Sequence, residues 1–192
     1  PAAAILAAER TDLNLASRMS GIASLTRDLM ERLARDGCGA VVAATRKTTP
    51  GFRVFEKEAV RIGGGDPHRA GLWDAGMVKD NHIAASRGDV AAAVRRVKAA
   101  HPNLTLTCEV ESLDAALAAA EAGADWLLID NQPAATGAAW AKLIWTRFPD
   151  IQVEASGGIT PETVAAYGWA DRISLGWLTQ KAPAKDIGLD WT

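Results

Sequence analysis

The chain has 192 residues, 48% hydrophobic and 23% charged, which suffices for one domain with a real core. A formal net charge of −2 gives no global field for nucleic acid or an anionic membrane, so any anion site has to be local. No apolar stretch approaches the roughly 20 residues of a membrane span, no signal-peptide pattern opens the chain, and Cys38 and Cys108 have no metal-ligand spacing. The cysteines, both in apolar strand-like runs, read as buried thiols of a reducing compartment, and the expected location is cytoplasmic.

A long helical pattern covers residues 5–35, and Gly37 stops it. Strand-like apolar runs follow at 38–45, 75–79, 104–110, 126–130, 151–155 and 172–175, with helical patterns between them. In 89–100, Val90, Val94 and Val97 share one face while Arg95, Arg96 and Lys98 point to solvent. Ser112 caps the next helix, whose stripe is Leu113, Ala116, Leu117 and Ala120, and Gly123 ends it. Residues 133–139 and 182–185 read as small-residue connections. Thr160-Pro161-Glu162 predicts a further helix with Thr160 as its N-cap. Trp126, Trp140, Trp145 and Trp169 fall at core-like positions and form no platform for bases. Strands alternating with helices imply a parallel sheet with right-handed crossovers, so the fold class is α/β.

The strand ends choose between an open sheet and a barrel. In order the runs finish in Thr45-Arg46-Lys47, Lys79-Asp80-Asn81, Glu109-Val110-Glu111, Asp130-Asn131, Ser156-Gly157-Gly158 and Leu175-Gly176. An open sheet concentrates ligand residues at one switch point, whereas a barrel gathers every strand's carboxyl end around one mouth. An incomplete TIM-like barrel of six or seven parallel strands is therefore expected. Its bounds are 37–182, after an N-terminal helical segment at 1–36 and before a C-terminal segment at 183–192.

Cations cluster at what read as loops: Thr45-Arg46-Lys47-Thr48-Thr49-Pro50-Gly51, His68-Arg69 and Lys79-Asp80-Asn81-His82. Such charges gathered in a partly dry cleft cost several kcal/mol each without a counter-charge, so something anionic is expected there. Arg46 and Arg69 suit bidentate capture of carboxylates, Lys47 and Lys79 act as point charges on phosphate oxygens, and His68 can donate a further hydrogen bond. Gly63-Gly64-Gly65 reads as flexible backbone that lets the His68-Arg69 loop reach the mouth. Glu109 and Asp130 end neighbouring strands and suit magnesium with its waters, sugar hydroxyls, or a salt bridge to a pocket lysine. Glu111 is a reserve candidate, and Glu154, one residue inside its strand, reads as structural. Ser156-Gly157-Gly158-Ile159-Thr160 can bring backbone N–H groups to a phosphate at a helix start, with Gly176 as a second close approach.

These residues carry a family resemblance. Glu9-Arg10-Thr11-Asp12-Leu13-Asn14, Ser20-Gly21-Ile22-Ala23, the Thr45 to Gly51 motif, Glu56-Lys57, Gly63-Gly64-Gly65, His68-Arg69, Lys79-Asp80-Asn81-His82, Asp130-Asn131 and Ala155-Ser156-Gly157-Gly158-Ile159 resemble quinolinate phosphoribosyltransferase, in the family's order and over nearly the whole chain. The resemblance implies a type II phosphoribosyltransferase barrel acting in NAD biosynthesis. Quinolinate and phosphoribosyl pyrophosphate would give nicotinate mononucleotide, pyrophosphate and carbon dioxide, with magnesium as cofactor. Arg10, Arg46, His68, Arg69 and Lys79 would bind quinolinate, with Arg10 reaching a neighbouring subunit's pocket in a homodimer or higher homo-oligomer. Lys47, Glu109, Asp130, Ser156, Gly157, Gly158 and Gly176 would hold phosphoribosyl pyrophosphate, with Glu109 and Asp130 also on the metal. Lys47, Lys79, Glu109 and Asp130 would be the catalytic set. The family's N-terminal α/β sandwich domain is absent from this chain, and Asp186-Ile187-Gly188-Leu189-Asp190-Trp191 resembles the segment that packs on it. Neither nucleic acid nor membrane is implied as a partner. Other readings are a molybdenum-transport-associated relative of the same fold, an aldolase barrel using Lys79 as a Schiff base, and a non-catalytic barrel module.

Overall fold

The computed structural model describes residues 2–190; Trp191 of the C-terminal motif lies outside them. Six strands, β1 (Val41–Ala43), β2 (Gly76–Val78), β3 (Leu106–Val110), β4 (Trp126–Asp130), β5 (Gln152–Ser156) and β6 (Arg172–Ser174), form one parallel sheet in the order β1-β6-β5-β4-β3-β2. β1 and β2 do not pair directly. Asp66 closes part of the seam by bridging to Ala43, its amide on the Val42 carbonyl and its carbonyl on the Ala44 amide, both at 2.9 Å. The helices are α1 (Ala2–Arg35), α2 (Arg53–Ile62), α3 (Asp80–Ala85), α4 (Val90–Ala100), α5 (Leu113–Glu121), α6 (Ala134–Arg147) and α7 (Trp177–Gln180).

Period-two alternation sends each strand's side chains to opposite faces, and here the faces differ in chemistry. Val42, Val78, Leu106, Cys108, Leu127, Ile129, Val153 and Ile173 face the helices and build two apolar clusters. One cluster packs under the second half of α1 through Ile22, Leu29 and Leu33; the other packs under α4, α5 and α6. The opposite face turns inward and is mostly polar: Thr107, Glu109, Asp130, Glu154, Ser156, Arg172 and Ser174. Each fully buried Leu or Ile on the outer face contributes roughly 1.5–3 kcal/mol by leaving water. Outer-face packing therefore stabilises a barrel whose interior is reserved for polar groups.

Local signals explain several boundaries. Ser112 caps α5 with its hydroxyl on the Ala115 amide, as expected, and Asp89 caps α4 with its carboxylate on the Ala92 amide. Residues 134–139 are not a connection but the first turns of α6, because their alanines favour helix and Pro133 sits at the N-cap, where a missing N–H costs nothing. No α-helix starts at Thr160. A turn leads instead into the short 3-10 helix Val164–Tyr167, with Arg32 drawing off the Pro161 and Glu162 carbonyls that would have opened a helix. Asp80, Asn81 and His82 lie in α3, with Lys79 as its N-cap, rather than in a loop. Cys38 is half-buried and precedes β1, and Cys108 alone is a buried strand cysteine, its thiol pushed up to about 12 by burial and then by Glu109.

Two further expectations change. Gly63 and Gly65 are close-packing positions rather than flexible backbone: a Cβ at Gly63 would lie 2.5 Å from the Ala23 carbonyl oxygen and one at Gly65 2.9 Å from that of Val42. The triplet thus threads the chain between α1 and β1 toward the seam. Trp126 does not join the outer clusters; it shares the inner face with Leu128 and Asp130, and the Arg172 guanidinium lies 3.8 Å from its ring centre.

Candidate active site

All six strands, or the residues directly after them, line one cavity of about 340 Å³ at the carboxyl end of the sheet. This is the behaviour of a barrel mouth. Arg46, Lys47, His68, Arg69 and Lys79 meet there with Glu109, Asp130, Glu154 and Ser156. Residues from Thr45 to Ser174 in the chain reach a common wall because parallel strands all end on one side.

The loop after β1 carries Arg46 and Lys47 exposed at the mouth. It is fixed from below. Glu56, fully buried on α2, accepts from the Thr49 amide (3.0 Å) and hydroxyl (2.8 Å) and pairs with Arg18 of α1 at 3.0 Å. Arg18 also donates to the Thr179 and Ala182 carbonyls, and the Thr179 hydroxyl donates to the Lys47 carbonyl at 2.7 Å. Gly176 stands beside this lysine: a Cβ there would sit 3.5 Å from Lys47 Cδ.

His68 and Arg69 ride on the segment that bridges the seam. His68 adopts φ +54°, a left-handed backbone that a non-glycine residue holds only when its surroundings insist. They do. Asp66 Oδ1 accepts from the His68 amide at 2.6 Å, and Lys57 donates to the Pro67 carbonyl. Lys57 is buried and its ammonium is pulled down to about 8, by burial first and then by Arg53. The Arg69 amide donates to His68 Nδ1 at 2.6 Å, so that nitrogen carries no proton, and the ring turns its Nε2–H toward Glu154 at 3.2 Å. Both ring nitrogens have partners within the protein, and His68 lines the cavity.

Glu154 is the hub beneath the cavity, 0% exposed. Its Oε2 accepts from Arg172 at 2.6 and 3.0 Å and from His68, while its Oε1 accepts from the Ser174 hydroxyl at 2.5 Å. Arg172 also reaches Asp66 at 3.0 Å, tying the seam to β6. Burial alone would raise the Glu154 carboxyl, but the His68, Arg172 and Ser174 contacts outweigh it and hold it at about 2. The structural role read from sequence is borne out, with the addition that Glu154 also lines the cavity.

Higher in the wall, Lys79 pairs with Glu109, its side chain 42% exposed. That setting differs from the desolvated or cation-flanked lysine that Schiff-base chemistry uses. Asp130 accepts from the Asn131 amide group at 2.6 Å. Asn131 has φ +53° and its amide donates to the Ser156 carbonyl; a Cβ on Gly157 (φ +95°) would strike Asn131 at 2.3 Å. Only glycine lets the β4 and β5 ends approach this closely. Gly157 and Gly158 follow β5 at the rim, while Ser156 lines the cavity. Without a helix after Thr160, backbone N–H groups of this turn would have to meet an anion without a helix dipole. Glu111 is exposed and does not line the cavity, and Arg10 is exposed on α1 away from it. Among the described residues, no group of three or more His, Cys, Asp or Glu is arranged to hold a metal by itself.

The geometry can be set against known proteins. A family model for the quinolinate phosphoribosyl transferase C-terminal domain matches residues 22–190. This chain belongs to that family. Probable nicotinate-nucleotide pyrophosphorylase [carboxylating] of Methanothermobacter thermautotrophicus is 47% identical over 97% of this chain and 68% of its own. Nicotinate-nucleotide pyrophosphorylase [carboxylating] of Homo sapiens is 45% identical over 98% of this chain and 64% of its own. The crystal structure of NadC from Streptococcus pyogenes superimposes with a TM-score of 0.86 at 42% identity, covering 95% of this chain and 63% of that one. The chain thus spans about two thirds of these relatives and corresponds to the family's C-terminal domain. No helix among the described residues is long and apolar enough to cross a membrane.

The sequence had pointed to Arg46, Lys47, His68, Arg69, Lys79, Glu109, Asp130 and Ser156, and the fold brings these together. It missed the roles of Arg53, Glu56, Lys57 and Arg172. Glu56-Lys57 was visible as a motif, and the strongly charged inner face of α2 was the signal that could have found the rest.

Proposed function

We propose that this chain is the catalytic domain of a quinolinate phosphoribosyltransferase. It would join quinolinate to phosphoribosyl pyrophosphate to give nicotinate mononucleotide, pyrophosphate and carbon dioxide in NAD biosynthesis. The supporting observation is the convergence of Arg46, Lys47, Arg69 and Lys79 on one cavity that also presents Glu109 and Asp130, in a chain of this family. Arg46 and Arg69 take the quinolinate carboxylates through their guanidinium forks, and Lys79 adds charge to that end. Lys47, Ser156, Gly157, Gly158 and Gly176 take the phosphates. Arg10, exposed on α1, is assigned to a neighbouring copy's pocket in a homodimer.

The ring nitrogen of quinolinate attacks the anomeric carbon as its bond to pyrophosphate breaks. Positive charge builds on the ribose and negative charge on the leaving group; Lys47 stabilises the latter without transferring a proton. Glu109 and Asp130 lie on the ribose side, where they hold hydroxyls and favour the developing cation. Two carboxylates are too few for an all-protein cage but suit magnesium, which keeps waters and substrate oxygens as ligands, so these two residues would hold it. When bound, the ion would neutralise charge on the pyrophosphate. Alkylation makes the ring nitrogen cationic. That cation accepts the electron pair left as the adjacent carboxylate departs as carbon dioxide, and the carbon then takes a proton from solvent.

Release of carbon dioxide from quinolinate by the full-length protein, dependent on phosphoribosyl pyrophosphate and magnesium, tests the reading. Absence of release with all three present overturns it.

A further inference from the structure

The inner face of α2 stands outside the barrel seam, against the two loops that carry Arg46 and Arg69. Arg53 touches both. Its Nε donates to Thr48 Oγ1 at 3.0 Å and one terminal nitrogen donates to the Arg46 carbonyl at 3.3 Å. The other terminal nitrogen donates to the Ala70 carbonyl at 3.3 Å, one residue beyond Arg69. A planar guanidinium can serve two loops at once because its donors diverge in fixed directions; an ammonium at the same place is a single point.

This tether acts against a repulsion. The Arg69 guanidinium is held below its ordinary range, first by burial and next by the positive charge of Arg46. Two like charges on separate loops, Arg46 exposed and Arg69 half-buried, relax apart unless the backbones beneath them are held. The remainder of the first loop has its own anchors, Thr179 on the Lys47 carbonyl and Glu56 on Thr49. Beyond the Ala44–Asp66 bridge at its foot, the part of that loop that carries Arg46 is joined directly to the segment carrying Arg69 by Arg53 alone among the described hydrogen bonds.

We propose that Arg53 is a positioning residue that sets the spacing between Arg46 and Arg69, and so selects a ring bearing two adjacent carboxylates over a ring bearing one. The proposal rests on the reading above, in which these two arginines each take a carboxylate. A single carboxylate needs one fork and tolerates a shift of the other; a dicarboxylate needs both at a set span, and a misplacement near 1 Å can cost about 100-fold.

The test is calorimetric titration of the full-length protein with quinolinate and with nicotinate, for wild type and Arg53→Lys. Quinolinate Kd should rise about 10- to 100-fold, the scale of losing hydrogen bonds from a charged group, while nicotinate Kd changes by less than about threefold. The KM for phosphoribosyl pyrophosphate should stay within about twofold, because Lys47 keeps its own anchor, the Thr179 hydroxyl on its carbonyl, in both proteins. Equal weakening of both acids, or an unchanged quinolinate Kd, overturns the proposal. Wild type that binds neither acid overturns the functional reading, and this inference with it. Should Arg53→Lys fail to fold by circular dichroism, Thr48→Val removes one tether and leaves the guanidinium. It should narrow the preference for quinolinate by about 3- to 10-fold, as for one lost hydrogen bond, and an unchanged preference there overturns the proposal.

Discussion

Glu154 and Glu109 are both barrel carboxylates paired with a cation, yet they are built for different tasks. Glu154 is sealed, bonded through both oxygens, and shares Arg172 with Asp66 across the seam. Glu109 sits near the opening on a lysine that is 42% exposed. A buried pair of the first kind costs too much desolvation to be a cheap source of stability, and losing one partner is worse than never having the pair. A pair of the second kind, half-open through its lysine although the Glu109 side chain is only 14% exposed, is partly screened and more easily exchanged for another partner. The contrast separates the group that holds the barrel closed from the groups left free to meet a ligand.

The hardest way to break that contrast is Glu154→Ala. It leaves Arg172 with Asp66 as its sole carboxylate, takes the shared acceptor from His68 and Ser174, and should cost about 3–5 kcal/mol of unfolding free energy, measured by urea denaturation. A loss near that of a surface residue would place Glu154 with Glu109. Lys79→Ala and Arg69→Ala should do the opposite. Lys79→Ala should change stability by no more than about 1 kcal/mol, and each should lower kcat/KM by about 100- to 1000-fold in the carbon dioxide assay. Wild-type turnover in either removes that residue from the site.

Acid sharpens the comparison. The folded Glu154 carboxyl, at about 2, lies below its ordinary value of 4.5, so its contribution is present above pH 4.5 and drains away as pH falls toward 2. The shift corresponds to about 3 kcal/mol. Urea titrations over that window should show a steep loss of stability in the wild type and a shallower one in Glu154→Gln. Parallel curves would mean that another carboxylate carries the acid sensitivity. The smallest effect within the Glu154 hub is expected for Ser174→Ala, which removes one hydrogen bond to Glu154 and leaves the arginine. About 1.5–3 kcal/mol should be lost by thermal unfolding, with quinolinate Kd unchanged within about twofold. A larger rise in Kd would show that the hub reaches the ligand directly.

What could be read in advance follows from the range of each signal. Ser112 acts on an amide three residues away, and that cap was legible; Asp89 does the same for α4 and shows how short the range of such a signal is. The stretch 134–139 was misread because alanine is compatible with loop and helix, and Pro133 decides only once the chain's direction is known. Thr160-Pro161-Glu162 carries a helix-start pattern, but Arg32, 129 residues away from Pro161 in sequence, takes its carbonyl.

The amino-acid order by itself determined the α/β class, the common side of the strand ends and most of the charged groups that meet there. These follow from periodicity of two or 3.6 residues and from the one-directional character of parallel strands. Only the tertiary structure decided which charges are spent on each other. His68, Arg53, Lys57 and Arg172 look like free cations in the sequence, and their partners at Glu154, Ala70, Pro67 and Asp66 become neighbours only when the seam between β1 and β2 is closed. A hydrogen bond reaches about 3 Å, and no local pattern reports a contact made at that distance by residues that lie 10 to 106 positions apart.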